Sequence, residues 1–222
     1  MTETCLTPAL AGQFITFEGG EGVGKSTNIE FCKQLLEQQG IEVVVTREPG
    51  GTEIAEIIRE QLLKKPHRER MSDVTELLLV FAARAQHIEA FIKPALARGC
   101  WVLCDRFTDS TVAYQGYGRG LSVDLVMQLK VIAQLGIEPD KTFLLDAPVE
   151  VGMGRAQVRG PADRFETEQL DFFTRVREGF LAIASNEPKR VSVINAAQDL
   201  PLVQADLSAA LLAFNHLSKE SV

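Results

Sequence analysis

The chain has 222 residues, of which 45% are hydrophobic, and this length and composition suit one α/β domain with a substantial core. Its 23 lysines and arginines are outnumbered by 30 aspartates and glutamates. The resulting net charge of -7 disfavours a nucleic acid or a membrane surface as a partner attracted by bulk charge, so an anionic substrate must be held by local arginines.

The first residues carry no basic flank followed by a long apolar stretch. We therefore expect neither a signal peptide nor a membrane span, and we expect a cytoplasmic protein of one domain, 1–222, in which 1–12 form an N-terminal extension. The cysteines lack a CxxC pair and nearby histidines, which argues against a zinc site and against a disulfide framework. Cys100 and Cys104 are expected to be buried strand residues.

Five short runs rich in apolar and β-branched residues predict strands at 14–18, 42–46, 101–105, 142–146 and 191–194. Most are apolar at consecutive positions, as expected for strands that are covered on both faces. The connections are long enough for crossover helices, so we predict a five-stranded parallel sheet with helices on both faces. Ligands should bind at the carboxyl ends of its strands.

Two helices are predicted between the second and third strands. Thr52 is placed to cap the first, which ends near Lys64. The apolar stripe of this helix consists of Ile54, Ile57, Ile58 and Leu62. A longer helix is predicted from about 74 to 97, and Gly99 then permits the turn into the third strand.

A glycine-rich motif follows the first strand and precedes a helical segment, which is the context that a phosphate-binding P-loop needs. Its sequence, Gly19-Gly20-Glu21-Gly22-Val23-Gly24-Lys25-Ser26-Thr27, satisfies GxxxxGK[ST], and we assign all nine residues to ATP binding. The glycines let backbone N–H groups point at phosphate oxygens. Lys25 would reach the β- and γ-phosphates, and Ser26 would bind Mg²⁺. The structural alternative is a glycine-rich turn without a ligand.

A P-loop alone does not identify the phosphoryl acceptor, because GTPases, ATPases and small-molecule kinases share it. A nucleotide-switched binding protein such as a GTPase should carry an Asn-Lys-x-Asp segment that reads guanine. The nearest segment here, Asn186-Glu-Pro-Lys189, does not match it.

Four further segments resemble those of bacterial thymidylate kinases, and with the P-loop they extend the resemblance over nearly the whole chain. They are Thr46-Arg-Glu-Pro-Gly-Gly-Thr52, Phe81-Ala-Ala-Arg-Ala-Gln-His87, Asp105-Arg-Phe-Thr-Asp-Ser-Thr-Val-Ala-Tyr-Gln115 and Asp163-Arg-Phe-Glu166. The third segment separates this family from adenylate, guanylate and shikimate kinases. The resemblance implies a P-loop NTPase fold and the conversion of dTMP to dTDP with MgATP in dTTP biosynthesis. A nucleoside monophosphate kinase of other base preference is the alternative.

Arg106 follows a buried strand at the expected ligand edge, where its planar fork can bind phosphate bidentately. The resemblance implies that Arg106 binds the acceptor phosphate and that Arg59 is its second ligand. A salt bridge and a solvated helix arginine are the respective alternatives. Asp105 closes an apolar strand as a Walker-B acid does and would hold Mg²⁺, with Asp146 as its rival.

The same resemblance implies the contacts to the nucleoside. Arg84 would read O4 of thymine, and an aromatic residue would stack on the base. Many relatives place that aromatic four residues before the arginine, where this chain has Val80, whereas Phe81 stands three before and is either the stacking residue or part of the core. The remaining predicted substrate contacts are Glu48, Pro49, Ser110, Thr111 and Gln115. Glu21 would bind the sugar 3′-hydroxyl, or else it faces solvent.

A basic segment at about 152–168 is predicted to be a small lid. Arg155 and Arg159 are spaced i,i+4, and Arg164 follows the break at Gly160-Pro161. These arginines would close over the ATP phosphates and exclude water, with Arg159 and Arg164 counted as catalytic beside Lys25, Asp105 and Arg106. A solvated charged helix is the alternative. Family members are usually homodimers packed through helices, and the long apolar helix could serve this purpose or be buried within the monomer.

Overall fold

A parallel β-sheet runs through the middle of the protein, in a computed structural model that describes residues 12–65, 67–157 and 169–220. Its strands are β1 (Phe14–Glu18), β2 (Val43–Arg47), β3 (Trp101–Asp105), β4 (Lys141–Asp146) and β5 (Val191–Asn195). The strand order is β2-β3-β1-β4-β5, and every neighbouring pair is parallel. The predicted sheet is confirmed, with β1 and β3 at the predicted bounds and the other strands shifted or extended by one residue.

The helices, some of them continued by π-helical segments, lie on both faces of the sheet. In chain order they are α1 (Lys25–Glu37), α2 (Glu53–Ile57) continued by a π-helix (Ile58–Leu63), α3 (Asp73–His87) continued by a π-helix (Ile88–Ile92) and α4 (Lys93–Ala97), α5 (Thr108–Thr111) continued by a π-helix (Val112–Gly118), α6 (Val123–Gln134), α7 (Val149–Gln157), α8 (Leu170–Asn186) and α9 (Leu200–Glu220). The helix predicted at 74–97 is thus one nearly continuous helical rod.

Alternating side chains of the strands build a separate core on each face of the sheet. One core packs strand residues against α1 and α9, and its strand members include Ile15, Phe17, Leu103, Phe143 and Leu145. The intervening strand residues face the other side, where Phe14, Val102 and Cys104 meet the helical rod of α3 and α4. On that side Leu144 packs on α8. Burial on both faces explains why β1 and β3 read as continuously apolar.

The apolar stripe predicted on α2 does not face the core. Thr52 caps the helix as expected, accepting a hydrogen bond from the Ala55 amide at 3.4 Å. However, Ile54 and Ile57 are more than half exposed, and the fully buried residues of this segment are Ala55 and Leu63. The reason is geometric: the segment packs on α3 through the small Ala55, and the wider π-helical turn that follows brings residue 63 inward.

Cys32, Cys100 and Cys104 are buried and reduced, while Cys5 lies outside the described residues. Cys104 is a strand residue as predicted, and Cys100 immediately precedes β3. Within the described ranges, no group of histidine, cysteine and acidic side chains is arranged to hold a metal ion. No helix there is long and apolar enough to cross a bilayer.

The carboxyl ends of β1, β2 and β3 lie together at one edge of the sheet. Asp105 at the end of β3 is in register with Phe17 of β1 and with Arg47 of β2. The glycine-rich loop leaves this edge after β1, and the segment with Arg106 leaves it after β3. The edge therefore brings together motifs that are far apart in the sequence, as expected for a ligand site in an open parallel sheet.

Candidate active site

The loop between β1 and α1 has the shape of a phosphate cradle. Gly19, Gly22 and Gly24 have φ angles of 136°, 68° and 86°, which side chains rarely adopt. A Cβ on Gly22 would lie 1.9 Å from the carbonyl oxygen of Gly152 in α7, so only glycine fits there. The loop ends at the N-terminus of α1, where unpaired backbone N–H groups favour an anion.

The backbone carbonyl groups of this loop hold the side chain of Lys25 against it. Its Nζ donates to the carbonyl of Gly20 at 2.9 Å and to that of Gly19 at 3.3 Å. Burial, together with the nearby charge of Arg106, lowers the pKa of Lys25. A phosphate placed in the cradle would favour the charged form of the amine.

A basin of about 720 Å³ opens over the loop, and Ser26 lies on its floor together with Lys25. Val23 lines the basin, although its side chain also belongs to the core between the sheet and α1. Thr27 is exposed on α1 and does not line the basin.

Asp105 also lines this basin, and one of its carboxylate oxygens is available for a ligand. Oδ1 of Asp105 is buried and has no hydrogen-bond partner among the described residues, a state that is costly unless a cation or a water completes it. The rival Asp146 is engaged, because both of its oxygens accept hydrogen bonds from Arg177 at 2.8 Å. This difference favours Asp105 over Asp146 as the acid that faces a magnesium ion.

Arg106 stands between the basin and a second cavity, and it lines both. Its backbone has a φ angle of 68°, a strained value for a residue with a side chain. Nη1 donates to the Gly19 carbonyl at 2.9 Å and to Ser110 Oγ at 3.1 Å, while Nη2 donates to Glu21 Oε1 at 2.8 Å. The guanidinium is therefore fixed where the two cavities meet, as a group that contacts the transferred or the acceptor phosphate must be.

The second cavity, called here the acceptor cleft, has a volume of about 710 Å³. Most of the predicted substrate contacts line it: Glu21, Glu48, Pro49, Arg59, Arg84, Arg106, Ser110, Thr111 and Gln115. Leu63, Lys64, Val80, Phe107 and Tyr114 line it as well and were not predicted to bind substrate. The structure thus brings the predicted set together, although several of its members turn out to contact each other.

Arg84 is the largest fully buried side chain among the described residues, and two of its three guanidinium nitrogens have hydrogen-bond partners. Nε donates to Glu48 Oε2 at 2.6 Å and Nη2 to Thr111 Oγ1 at 2.9 Å. Nη1 has no partner in the part of the chain that the structure describes. An unpartnered buried donor is costly, so Nη1 calls for an acceptor from a molecule in the cleft.

Glu48 and Thr111 therefore act through Arg84 in addition to lining the cleft. The Glu48 carboxylate is buried, with Oε1 2.9 Å from His87 Nδ1, and His87 Nε2 lies 2.6 Å from Thr46 Oγ1. His87 was missed at the sequence level. It ends the same segment that carries Arg84, but its partners are about forty positions away in the chain.

Phe81 does not line the cleft. It packs with Leu77 and Val112 in a core cluster behind Arg84, while Val80 faces the cleft. The helix places the residue four positions before Arg84 on the cleft side and the residue three before it toward α6. Phe81 instead supports Arg84, because the guanidinium carbon lies 4.8 Å from the centre of its ring and 5.0 Å from that of Phe107 on the cleft wall.

Arg59 reaches the mouth of the cleft from the π-helical segment after α2, and it also lines the phosphate basin. Its Nη1 donates to the carbonyl of Pro49 at 2.7 Å, and the peptide bond between Glu48 and Pro49 is cis. Arg59 and Arg106 thus present two guanidinium groups to the space between the cavities, where a phosphate of the acceptor would lie.

Glu21 is half-buried and turned toward the acceptor cleft. Its Oε1 accepts hydrogen bonds from Arg106 and from the hydroxyl of Tyr114, the latter at 2.8 Å. Tyr114 was missed, although it lies inside the segment that ends at Gln115. Its ring lies 4.9 Å from the Arg106 guanidinium carbon and so narrows the cleft beside Glu21.

A second buried carboxylate, that of Glu18 at the end of β1, holds the turn after β3. Oε1 accepts from the Phe107 amide at 2.7 Å and Oε2 from the Ser110 hydroxyl at 2.5 Å. Both contacts lie just after the strained Arg106 in the chain and fix the direction in which the backbone leaves the sheet. Burial, reinforced by the nearby charge of Asp109, raises the pKa of Glu18 from 4.5 to about 7.

This raised pKa predicts a pH dependence of stability. Between pH 4.5 and about 7 the folded protein holds a proton on Glu18 that the unfolded chain releases, so this contribution to stability is lost as pH rises through that window. Glu18→Gln cannot titrate. We expect the melting temperature of the parent protein to fall relative to that of the variant between about pH 5 and about pH 8. If the melting temperatures of the parent and Glu18→Gln change with pH in parallel, the raised pKa of Glu18 is contradicted. The control is Glu30→Gln on the exposed face of α1, which should follow the parent.

Of the predicted lid, the structure describes only the beginning. Arg155 on α7 donates to the carbonyl of Ala196 at 2.7 Å, beyond the end of β5, and lines none of the cavities described above. Arg159 and Arg164 lie outside the described residues, as does Asp163-Arg-Phe-Glu166.

Comparison with known proteins agrees with this geometry. A family profile described as thymidylate kinase matches residues 17–207. The chain is 55% identical over 202 residues to the thymidylate kinase of Ectopseudomonas mendocina, covering 91% of this chain and 96% of that protein. It is 53% identical to the thymidylate kinase of Teredinibacter turnerae, covering 92% of this chain and 100% of that protein.

A solved structure gives the same result at the level of the fold. The crystal structure of thymidylate kinase from Ehrlichia chaffeensis superposes with a TM-score of 0.73 at 36% identity, covering 90% of this chain and 99% of that one. The range matched by the family profile, 17–207, includes the phosphate cradle and the segments that line the acceptor cleft. The chain therefore belongs to the thymidylate kinase family.

Proposed function

We propose that this nucleoside monophosphate kinase transfers the γ-phosphoryl group of MgATP directly to dTMP, forming dTDP without a covalent enzyme intermediate. The observation that carries the proposal is the junction of the two cavities, where Arg59 and Arg106 stand between the phosphate basin and the acceptor cleft. We also propose that it acts in the cytoplasm, in dTTP biosynthesis, because ATP and dTMP are both found there.

On the donor side, the loop from Gly19 to Thr27 binds the ATP phosphates. Its backbone N–H groups and Lys25 neutralise the β- and γ-phosphates, and Arg106 at the junction stabilises charge that spreads over the transferring group. Positioning supplies the remainder of the rate, since the attacking phosphate oxygen of dTMP is already ionised near neutral pH and needs no general base.

The residues at the bottom of the basin suit a magnesium ion. Ser26 would offer a hydroxyl, and Oδ1 of Asp105, which has no hydrogen-bond partner in the described ranges, would offer a carboxylate oxygen either directly or through water. A site built from few protein oxygens and completed by phosphates and water is typical of Mg²⁺. When bound with ATP, the ion offsets negative charge on the β- and γ-phosphates.

On the acceptor side, Arg59 and Arg106 bind the dTMP phosphate, and Arg84 reads the base. Among the residues that the structure describes, Nη1 of Arg84 is a buried donor without a partner, and it matches O4 of thymine. Gln115 supplies the neighbouring contact, and Glu21 takes the 3′-hydroxyl of the sugar. Val80 and Phe107 form the walls of the cleft beside the thymine ring, and Phe81 lies behind Arg84.

We also propose that the basic segment 152–168 is a lid. Arg155 lies within it on α7, and α7 contacts the phosphate loop where Gly152 lies next to Gly22. Arg159 and Arg164 would then close over ATP and exclude water during transfer, with residues 1–222 forming one domain.

A coupled ADP-release assay with dTMP, dUMP, dCMP, AMP and GMP tests the function. We expect turnover with dTMP to exceed that with every other acceptor. Comparable turnover with AMP or GMP and none with dTMP would show a nucleoside monophosphate kinase of other specificity. Tight GTP binding without acceptor-dependent turnover would favour a nucleotide-switched binding protein.

We further propose a homodimer that packs through α3 and α6. These neighbouring helices carry exposed apolar side chains at a spacing of four residues, a pattern typical of an interface. They are Val74 and Leu78 on α3, and Met127 and Val131 on α6, continued by Leu135. Val131 is 71% exposed in the single chain, which is unfavourable unless another surface covers it.

Val131→Asp is expected to convert the dimer to a monomer, because a charge buried in an apolar interface has no partner there. Sedimentation equilibrium would show the change in mass. Leu202→Asp, at a similarly exposed apolar position on α9, should remain dimeric. A parent protein that is already monomeric, or a Val131→Asp variant that is still a dimer, would contradict the proposed interface.

A further inference from the structure

Glu76 lies directly behind the acceptor cleft. It shares one face of α3 with Val80 and Arg84, at a spacing of four residues, but only the latter two line the cleft. Glu76 is 1% exposed, although it carries a carboxyl group. Burial of such a group requires specific partners, and those of Glu76 connect it to the base-binding side of the cleft.

Two side chains of the helical segment after β3 and the turn that follows it donate to this carboxylate. Gln115 donates from Nε2 to Oε1 at 2.8 Å, and Arg119 donates from Nε to Oε1 and from Nη2 to Oε2, both at 3.3 Å. The guanidinium of Arg119 is itself held 4.8 Å above the ring of Phe172. A fixed arginine fork on a buried carboxyl group stabilises the ionised form.

An ionised carboxylate accepts hydrogen bonds and cannot donate them. The amide of Gln115 has a donor end and an acceptor end that are nearly equal in shape, so only its partners decide which end faces the cleft. Because Nε2 must face Glu76, Oε1 is turned away from it. No group in the described part of the chain donates to this oxygen, and Gln115 lines the acceptor cleft.

We propose that Glu76 is a positioning residue for base specificity, holding the Gln115 amide so that its carbonyl oxygen faces the base. The cleft then presents an acceptor on Gln115 beside Nη1 of Arg84, a donor that has no partner among the described residues. Thymine offers the complementary pair, a donor at N3–H and an acceptor at O4. Cytosine offers the reverse, an acceptor at N3 and a donor at its 4-amino group. The proposal rests on the proposed function, dTMP phosphorylation.

Glu76→Gln should release this constraint with little change in shape. The new side chain carries a donor in place of one acceptor, so it can no longer accept from Gln115 and from both nitrogens of Arg119 at once, and an amide nitrogen at the Oε1 position favours rotation of the Gln115 amide by half a turn. The base then meets a donor where N3–H also donates. We expect kcat/KM for dTMP to fall and that for dCMP to hold or rise, so that their ratio falls by about tenfold or more.

The experiment compares kcat/KM and dissociation constants for dTMP and dCMP across four proteins: the parent, Glu76→Gln, Glu76→Asp and the control Glu89→Gln, an exposed glutamate on the same helical rod. Glu76→Asp still only accepts, so it should weaken both nucleotides but keep their ratio. Glu89→Gln should match the parent. A fall in the ratio of kcat/KM for dTMP to that for dCMP in Glu76→Gln, but not in Glu76→Asp or Glu89→Gln, supports the proposal. Equal losses for both nucleotides in Glu76→Gln and Glu76→Asp would overturn it and leave Glu76 a structural residue.

Arg119→Met tests the same carboxylate from its other side and serves if Glu76→Gln does not fold. Without this fork, the carboxylate loses the partner that fixes its orientation toward Gln115, so the ratio of kcat/KM for dTMP to that for dCMP should fall here as well. An unchanged ratio in a folded Arg119→Met variant would contradict the proposal. Failure of the proposed function looks different, because the parent protein would then not phosphorylate dTMP at all.

Discussion

Arg106→Ala is expected to reduce kcat/KM for dTMP by about a thousandfold, or ~4 kcal/mol, the loss typical of truncating one partner of a buried charge pair. The guanidinium links the Gly19 carbonyl, Ser110 and Glu21 at the junction of the cavities. Without it, the dTMP phosphate loses a bidentate ligand and the Glu21 carboxylate is left beside it. Steady-state kinetics with varied dTMP measures the effect.

Two further variants show whether the loss in Arg106→Ala comes from its charge, its planar fork or a general effect of removing an arginine. Arg106→Lys keeps the charge but loses the planar fork, so it should recover only part of the activity. Arg98→Ala, at an exposed arginine after α4, should retain parent activity. A kcat/KM within about twofold of the parent for Arg106→Ala would show that Arg106 contacts neither phosphate.

Lys25→Met is expected to lower kcat by about a thousandfold while the KM for dTMP changes little, as for removal of a buried group that stabilises the transferring charge. Methionine preserves the length and apolar stem of lysine and removes only the charged amine. Single-turnover measurements of ADP formation separate this effect on the chemical step from effects on product release.

The matched control for Lys25→Met is Lys33→Met, at a half-exposed lysine on the same helix. It should have parent kinetics. An effect of Lys25→Met confined to the KM for dTMP would be inconsistent with a role on the ATP phosphates, because Lys25 reaches the loop carbonyls of Gly19 and Gly20 and lines the basin but not the acceptor cleft.

The sequence predicted those parts of the fold that depend on local pattern. The strands follow from short apolar runs, and the cradle follows from glycines that sit where the backbone has positive φ. The stripe on α2 was wrong because its amphipathic pattern does not show that the helix packs through Ala55 and widens into a π-helix. Neither property leaves a local signal in the sequence.

The site was predictable where a single sequence motif contains all the residues of a binding element. It was less predictable where the interacting residues are far apart in the sequence. Glu18 pairs with residues about ninety positions away, and Glu76 with residues about forty away, so their roles as buried supports appear only in the structure. The position of Phe81 depended on the rotation of α3 about its axis. A difference of one residue, between 80 and 81, separates a cleft wall from a core residue.

The central claim is that the acceptor cleft binds dTMP with its base against Arg84 and Gln115 and its phosphate between Arg59 and Arg106. A crystal structure of the dTMP complex tests this directly. The account predicts O4 within hydrogen-bond distance of Arg84 Nη1, N3 within that distance of Gln115 Oε1, and the phosphate on both junction arginines. A base bound elsewhere, or turned so that neither side chain contacts its imide edge, would contradict it.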